Sequence, residues 1–389
     1  MKEIFDSIDE DELIELLCSI VEQDTTNPPG NEYKVAEIVR IFFEQNEIPY
    51  LIHEKEKGRT NIIGRIGEGS PKILIACHSD VVPAGDGWKT NPFEPVIEDG
   101  KVYGRGTCDN KDSIASMLIA GKLIKENIKK INGQIILAVL ADEEHGSDYG
   151  LNYIMDEGFL EFDYAIVPDI GGNMKKIDVA EKGALHFKII SYGKQAHGSR
   201  PDKGINAIEY MIELLNEIKN YEFDYEPHEL LKVPTINIGM IKGGEAVNIV
   251  PAKCTVGIDI RYLPSQTKEE IIKDFEDMMK KVEEENPYAK FGIEIITHHA
   301  PAELLENIGL ARVFRESTKQ VMGFKPDIIG MGGHTFAGLL MERGLNAIGV
   351  GMGDDIAHQA NEYIQIDEMV NFTKILILSI IKLLGGEKK

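Results

Sequence analysis

The chain alternates short apolar runs with amphipathic stretches, and the period of each run predicts the element it becomes. Between about residues 9 and 23, Leu13, Ile14, Leu16, Leu17, Ile20 and Val21 recur at helical spacing. The run Thr25-Thr26-Asn27-Pro28-Pro29-Gly30 then stops that helix with breakers. A second helix is expected over 32–44, followed by strands at 60–66 and 73–77. The second strand is apolar or small throughout, as in a strand covered on both faces. After a long loop rich in Gly, Pro and Asp (82–106), the pattern predicts a helix at 113–125. A buried strand at 135–141, a helix at 151–156 and a short strand at 164–167 complete the series. Strands alternating with helices predict an α/β fold, a mostly parallel sheet flanked by helices.

The pattern changes near Lys182. Residues 184–192 alternate apolar and polar positions, as in a half-exposed antiparallel strand. An amphipathic helix (206–219), strands at 235–240 and 253–261, a charged helix (268–284) and a strand at 291–297 follow. From Leu304 helical periods and buried-strand runs return, with 347–351 as another core strand. The expected organisation is a catalytic domain made of 1–182 and 298–389, interrupted by an inserted α+β domain over 183–297.

Bulk properties narrow the possible partners. The chain has 389 residues, enough for two domains. Its 42 Lys and Arg against 65 Asp and Glu give a net charge of -23, which argues against nucleic acid or an anionic membrane as partner. Cys18, Cys77, Cys108 and Cys254 lack any CxxC spacing, as expected in a reducing cytosol. The first dozen residues are acidic and do not resemble a secretory signal, and no run approaches the roughly 18 apolar residues of a membrane span. A cytoplasmic protein is expected. No Gly-x-Gly-x-x-Gly or Walker-type loop follows an early strand, which disfavours a nucleotide-binding α/β protein.

Five polar clusters fall at or just beyond the predicted strand ends or ahead of a helix. They are His78 and Asp80, then Asp109 in Gly104-Arg105-Gly106-Thr107-Cys108-Asp109, then Asp142-Glu143-Glu144, Asp169, and His358 in Ala357-His358-Gln359-Ala360-Asn361-Glu362. Open α/β sheets bind ligands at the carboxyl ends of their strands. Imidazoles mixed with carboxylates suit zinc, cobalt or manganese, whereas calcium and magnesium favour all-oxygen sets. Each cluster has a plainer reading: Asp109 as a helix N-cap, the acidic run as a charged loop, His358 as a surface histidine.

In this order and at these positions, the motifs closely resemble the M20 family of co-catalytic zinc metallopeptidases and deacylases, over essentially the whole chain. The resemblance implies that His78 and Asp169 bind one metal ion, that Glu144 and His358 bind a second, and that Asp109 bridges them. It implies that Asp80 orients His78 and that Glu143 is the general base. It further implies that His197, in Gly193-Lys194-Gln195-Ala196-His197-Gly198-Ser199, stabilises the oxyanion, often from the other subunit of a dimer formed through the inserted domain. Asn248 and Arg261 match positions that hold a substrate carboxylate, with a structural ion pair to Asp259 as the competing role for Arg261. The Gly332-Gly333-His334-Thr335-Phe336-Ala337 run matches a glycine-rich substrate loop in the form found in PepV-like dipeptidases. The compact insertion is unlike that group. The activity so implied is cleavage of a short peptide bearing a free carboxylate. The alternatives are an N-acyl amino acid deacylase (acetylornithine deacetylase or succinyl-diaminopimelate desuccinylase type) and a non-catalytic metal-binding protein on the same scaffold.

Overall fold

Continuous apolar runs become the buried centre of a mixed sheet. Lys72–His78 runs parallel to Gly133–Leu140 on one side and to Tyr164–Pro168 on the other. Tyr164–Pro168 in turn runs parallel to Ala347–Val350. Antiparallel strands lie outside these four: Thr60–Glu68 pairs with Gly133–Leu140, and Tyr50–Glu54 pairs with Thr60–Glu68 at the edge. The register sets His78 opposite Leu140 and Val350 opposite Pro168, so the parallel strands end together. Whatever follows each strand therefore arrives at the same edge of the sheet.

The computed structural model describes residues 1–304, 309–385 and 387–388. The chain divides into one unit of Met1–Val179, Glu303–Ile329 and Thr335–Lys389, and another of Ala180–Ala302 with Gly330–His334. In the first unit, helices cover the sheet. Glu10–Val21 is capped by Asp9, whose carboxylate accepts the N–H groups of Asp11 and Glu12. It buries Leu13, Leu17 and Ile20 in a core shared with Ile114, Leu118 and Phe372 from the helices Lys111–Asn127 and Ile366–Leu384. Burying side chains of this size is worth roughly 1.5–3 kcal/mol each.

The expected loop over 82–106 is partly a hairpin, Val96–Glu98 with Lys101–Tyr103. Its turn is Asp99-Gly100, both at positive φ (51° and 73°). Asp-Gly at a two-residue hairpin turn supplies the left-handed conformations that turn needs, so the breakers here make a turn inside ordered structure. The helices Gly309–Met322 and Ile366–Leu384 account for the helical periods of the carboxyl-terminal third.

The second unit is a four-stranded antiparallel sheet. Thr235–Gly243 pairs with Lys253–Tyr262, which pairs with Gly183–Tyr192, which pairs with Phe291–His299. Leu185, Phe187, Ile189, Val256, Ile258 and Ile260 meet Met211, Leu214, Ile271 and Phe275 of the helices Ala207–Lys219 and Lys268–Glu285 in one core. The alternation of Gly183–Tyr192 reflects this one-sided burial. Among the described residues no helix is long and apolar enough to cross a membrane. All four cysteines are free thiols.

Candidate metal centre

His78 is the last residue of its strand and is buried. Its Nε2 lies 2.9 Å from Asp109 Oδ1 and 3.3 Å from Asp169 Oδ1. The other oxygen of Asp109 lies 3.1 Å from Nε2 of His358, and both oxygens of Glu144 lie at that same 3.1 Å distance. Asp109 thus presents one oxygen to each imidazole. Ligand-capable atoms of His78, Asp109 and Glu144 fall within 4.8 Å of one another, as do those of His78, Glu143 and Asp169. The helix beyond Asp109 has Asn110 at its N-cap position, without a side-chain capping bond, so Asp109 is not the cap.

Two further features shape these contacts. The peptide bond Asp109–Asn110 is cis. The Asn110 side chain accepts the His78 backbone N–H at 3.3 Å and donates to Asp169 Oδ1 at 3.1 Å, linking two strand ends. Glu143 and Glu144 open the single helical turn Glu143–His145, which follows Asp142 in the left-handed region at φ 65°.

Asp80 serves this turn more directly than it serves His78. Nδ1 of His78 is 3.0 Å from the backbone carbonyl of Asp80 but 3.6 Å from its carboxylate. The carboxylate accepts the N–H of Glu143 at 3.0 Å and of Glu144 at 3.2 Å. It also accepts Nδ2 of Asn27 at 2.9 Å. Asp80 thus meets His78 Nδ1 most closely through its main-chain carbonyl, while three donors engage its carboxylate.

Crowding sets the electrostatics. Burial and the charge of Asp169 push Glu143 well above the usual carboxylate range. Burial and Asp109 push Glu144 up to about 7. Hydrogen bonds from His358 and His78 outweigh burial at Asp109 and hold it low. Bonds to Asp109 and Glu144 raise His358 to about 10. Four carboxylates face two imidazoles, and the negative charge that the imidazoles do not neutralise adds to burial in pushing both glutamates up. Such a mixed N/O donor set, rich in negative charge, fits divalent cations.

The other expected site residues lie in the second unit. His197 is exposed on a short strand paired with Ile249–Val250, and its Nδ1 accepts the Ser199 N–H at 3.1 Å. Asn248 precedes that partner strand, and its carbonyl accepts the Gly198 N–H at 2.7 Å. Arg261 forks onto Asp259, Nε to Oδ1 at 2.9 Å and Nη2 to Oδ2 at 3.3 Å. Its Nη1 reaches the Gly332 carbonyl at 3.3 Å. A Cβ on Gly332 would meet nothing, whereas one on Gly333 would strike the Met331 side chain.

Sequence reasoning misses a supporting layer. Arg59 donates to Glu32 and, at 2.9 Å, to Asp142, all three buried. Arg105 pairs with the buried Glu362, which accepts the Cys108 N–H at 2.9 Å. Asn27, Arg105, Asp142 and Glu362 all sit inside motif runs that the sequence displays, and that position is the one signal pointing to them.

Residues 179–287 match the peptidase dimerisation domain of the M20 group. The chain is 36% identical over 341 residues to an uncharacterized metallohydrolase of Methanocaldococcus jannaschii, spanning 82% of each protein. It is 30% identical over 403 residues to a probable succinyl-diaminopimelate desuccinylase of Staphylococcus epidermidis, spanning 95% of this chain and 96% of that protein. An M20 metallo-carboxypeptidase of Sulfolobus solfataricus shares the fold, with a TM-score of 0.80 at 21% identity over 96% of this chain and 99% of the other. A tripeptidase of Staphylococcus aureus does so with a TM-score of 0.77 at 22% identity over 97% and 99%. With relatives of 30% identity or more along most of its length, this chain belongs to the M20 family of metallohydrolases, enzymes that use divalent metal ions.

Proposed function

We propose that the protein is a di-metal amidohydrolase that cleaves the amide bond of a short peptide bearing a free carboxylate. The observation that carries this reading is Asp109 facing His78 with one oxygen and His358 with the other. In this reading His78 and Asp169 would hold one cation and Glu144 and His358 the other, with Asp109 available to both. Zinc suits the mixed donors best, with cobalt or manganese as alternatives. The cations would supply Lewis-acid polarisation of the amide carbonyl and acidification of a water.

Glu144 is turned to His358, which leaves Glu143 on the side of His78 and Asp169. Glu143 takes the proton from the attacking water and returns it to the amine nitrogen as the C–N bond breaks. Asp80 keeps Glu143 in place through its backbone N–H. Arg261 and Asn248 hold the substrate carboxylate, the former through its planar fork. Gly332 and Gly333 admit a ligand close to the main chain, and His197 stabilises the oxyanion. A homodimer through the inserted domain and a cytoplasmic location complete the proposal.

A deacylase acting on N-acyl amino acids is the second reading, favoured by the Staphylococcus epidermidis relative that spans 95% of the chain. The deciding experiment is a hydrolysis panel on chelator-treated protein with zinc, cobalt or manganese restored. Dipeptides and tripeptides stand beside acetylornithine and succinyl-diaminopimelate. Metal-dependent peptide cleavage supports the first reading, and selective deacylation replaces it with the second. Glu143→Ala should keep its metal and lose about 100-fold or more of turnover. Metal binding by the unaltered chain with no cleavage of any substrate would leave a non-catalytic binding protein.

A further inference from the structure

We propose that Asn27 is a positioning residue for the turn that carries Glu143 and Glu144. The inference rests on the roles given to those two glutamates above. Asn27 is almost fully buried, and Nδ2 of its carboxamide donates to Asp80 Oδ2 and to Asp142 Oδ1, each at 2.9 Å. An amide NH₂ has two hydrogens, so both are used. The two acceptors are buried carboxylates that would otherwise repel each other across a small gap.

Both carboxylates belong to the surroundings of the turn, Asp80 through its hydrogen bonds and Asp142 as the residue that precedes it. Asp80 accepts the N–H groups of Glu143 and Glu144. Asp142 leads into the turn through its left-handed backbone, and its side chain is fixed by Arg59 at 2.9 Å and by the Tyr149 N–H at 3.1 Å. Asn27 sets the separation between the two carboxylates, and with it the placement of both glutamates.

The amide is itself held firmly. The Asn27 N–H donates to the Val81 carbonyl at 2.9 Å, the Val81 N–H to the Thr25 carbonyl at 3.2 Å, and the Thr25 hydroxyl to the Ser79 carbonyl at 2.6 Å. Residues 25–27 are thus laced to the segment that follows His78. Behind Asn27, Arg59 is confined by Gly30, whose φ is 101° and whose added Cβ would come within 2.4 Å of Arg59 Nε. The breakers that end the first long helix therefore also deliver the carboxamide and leave room for the guanidinium.

The test measures zinc affinity of the full chain by chelator competition, together with kcat, KM and the thermal midpoint, in wild type, Asn27→Ala and Asn27→Asp. Zinc affinity per folded molecule should fall about 10–100-fold in Asn27→Ala, with kcat falling alongside and KM within about twofold of wild type. A lowered thermal midpoint with zinc affinity and kcat within about twofold of wild type overturns the proposal, because a merely structural amide behaves that way. Should Asn27→Ala not fold, Asn27→Asp keeps the shape and replaces the donor with another carboxylate oxygen. The same loss of zinc affinity there supports the proposal, and wild-type affinity there overturns it. Zinc affinity is read without turnover, so failure of this inference is distinguishable from failure of the peptidase reading.

Discussion

The carboxylate of Asp80 holds the backbone of Glu143 and Glu144: Oδ1 accepts the N–H of Glu143 at 3.0 Å, and Oδ2 that of Glu144 at 3.2 Å. The carbonyl of the same residue meets His78 Nδ1 at 3.0 Å. Asp80 therefore connects a strand-end imidazole to the turn bearing the proposed base, with its main chain serving one and its side chain the other.

Replacing Asp80 tests this division. Asp80→Ala leaves two N–H groups and one of the two Asn27 amide hydrogens without an acceptor, and each unsatisfied buried donor costs about 1–3 kcal/mol. Asp80→Asn keeps one acceptor oxygen and turns an NH₂ against the remaining donors. Zinc affinity should fall about 10–100-fold in both variants, and the thermal midpoint should fall further in Asp80→Ala. Because the carbonyl that meets His78 survives in both, the damage is expected mainly at the turn. Wild-type zinc affinity in both variants would detach the Asp80 side chain from the metal centre.

Arg261 is engaged by Asp259 yet keeps one nitrogen directed at the Gly332 carbonyl. If it binds the substrate carboxylate, Arg261→Ala should raise KM about 10-fold or more and leave kcat within about threefold. Arg261→Lys should not restore KM, since a point-charge ammonium lacks the planar fork. The ion pair is partly exposed, so its loss should cost under about 1 kcal/mol of stability. Equal KM in wild type and Arg261→Ala would sink the carboxylate assignment.

The parallel strands were legible because both of their faces are covered, which leaves unbroken apolar runs such as Ile73-Leu74-Ile75-Ala76. Strand ends follow from strands, so the positions of His78, Asp169 and the Asp142-Glu143-Glu144 run along the sheet edge were readable as well. The supporting layer was not. Asn27 meets Asp80 and Asp142 across 53 and 115 positions of sequence, and a local pattern carries no record of such pairings. Arg59, in the run Lys57-Gly58-Arg59-Thr60, has the look of surface charge. Only the tertiary fold buries it against Glu32 and Asp142.

Asp259 predicts a pH dependence. The nearby His186 imidazole and then a hydrogen bond from Arg261 hold its carboxyl down to about 2 against the opposing effect of burial. The His186 contact is 3.5 Å and the Arg261 contact 2.9 Å, so the arginine is the firmer partner. A carboxyl with a lower pKa folded than unfolded adds stability that is complete above the unfolded value of about 3.9 and is lost as pH falls towards the folded one. The difference in urea midpoint between wild type and Asp259→Asn should be widest above about pH 5 and shrink below about pH 4. A difference at about pH 3 as wide as at about pH 7 would contradict the depressed carboxyl.

Glu362 and Arg105 join the loops of two residues of the candidate metal centre, Asp109 and His358. Both are buried, and Glu362 also accepts the Cys108 N–H, next to Asp109, at 2.9 Å. Arg105 Nη2 donates to the carbonyls of Ala84 at 3.2 Å and His358 at 3.3 Å. The loops carrying Asp109 and His358 are thus held by one ion pair. Glu362→Ala would strand a buried guanidinium, a change that typically costs about 3–5 kcal/mol, whereas Glu362→Gln keeps an oxygen for the Cys108 N–H and should cost less. Replacing both partners with apolar residues of similar volume removes the stranded charge and should recover much of the stability. It should not recover zinc affinity, because neither loop regains its tether. Urea unfolding and chelator competition on the three variants separate these effects. Restored zinc affinity in the apolar double variant would show that the pair serves stability alone and that other contacts align Asp109 with His358.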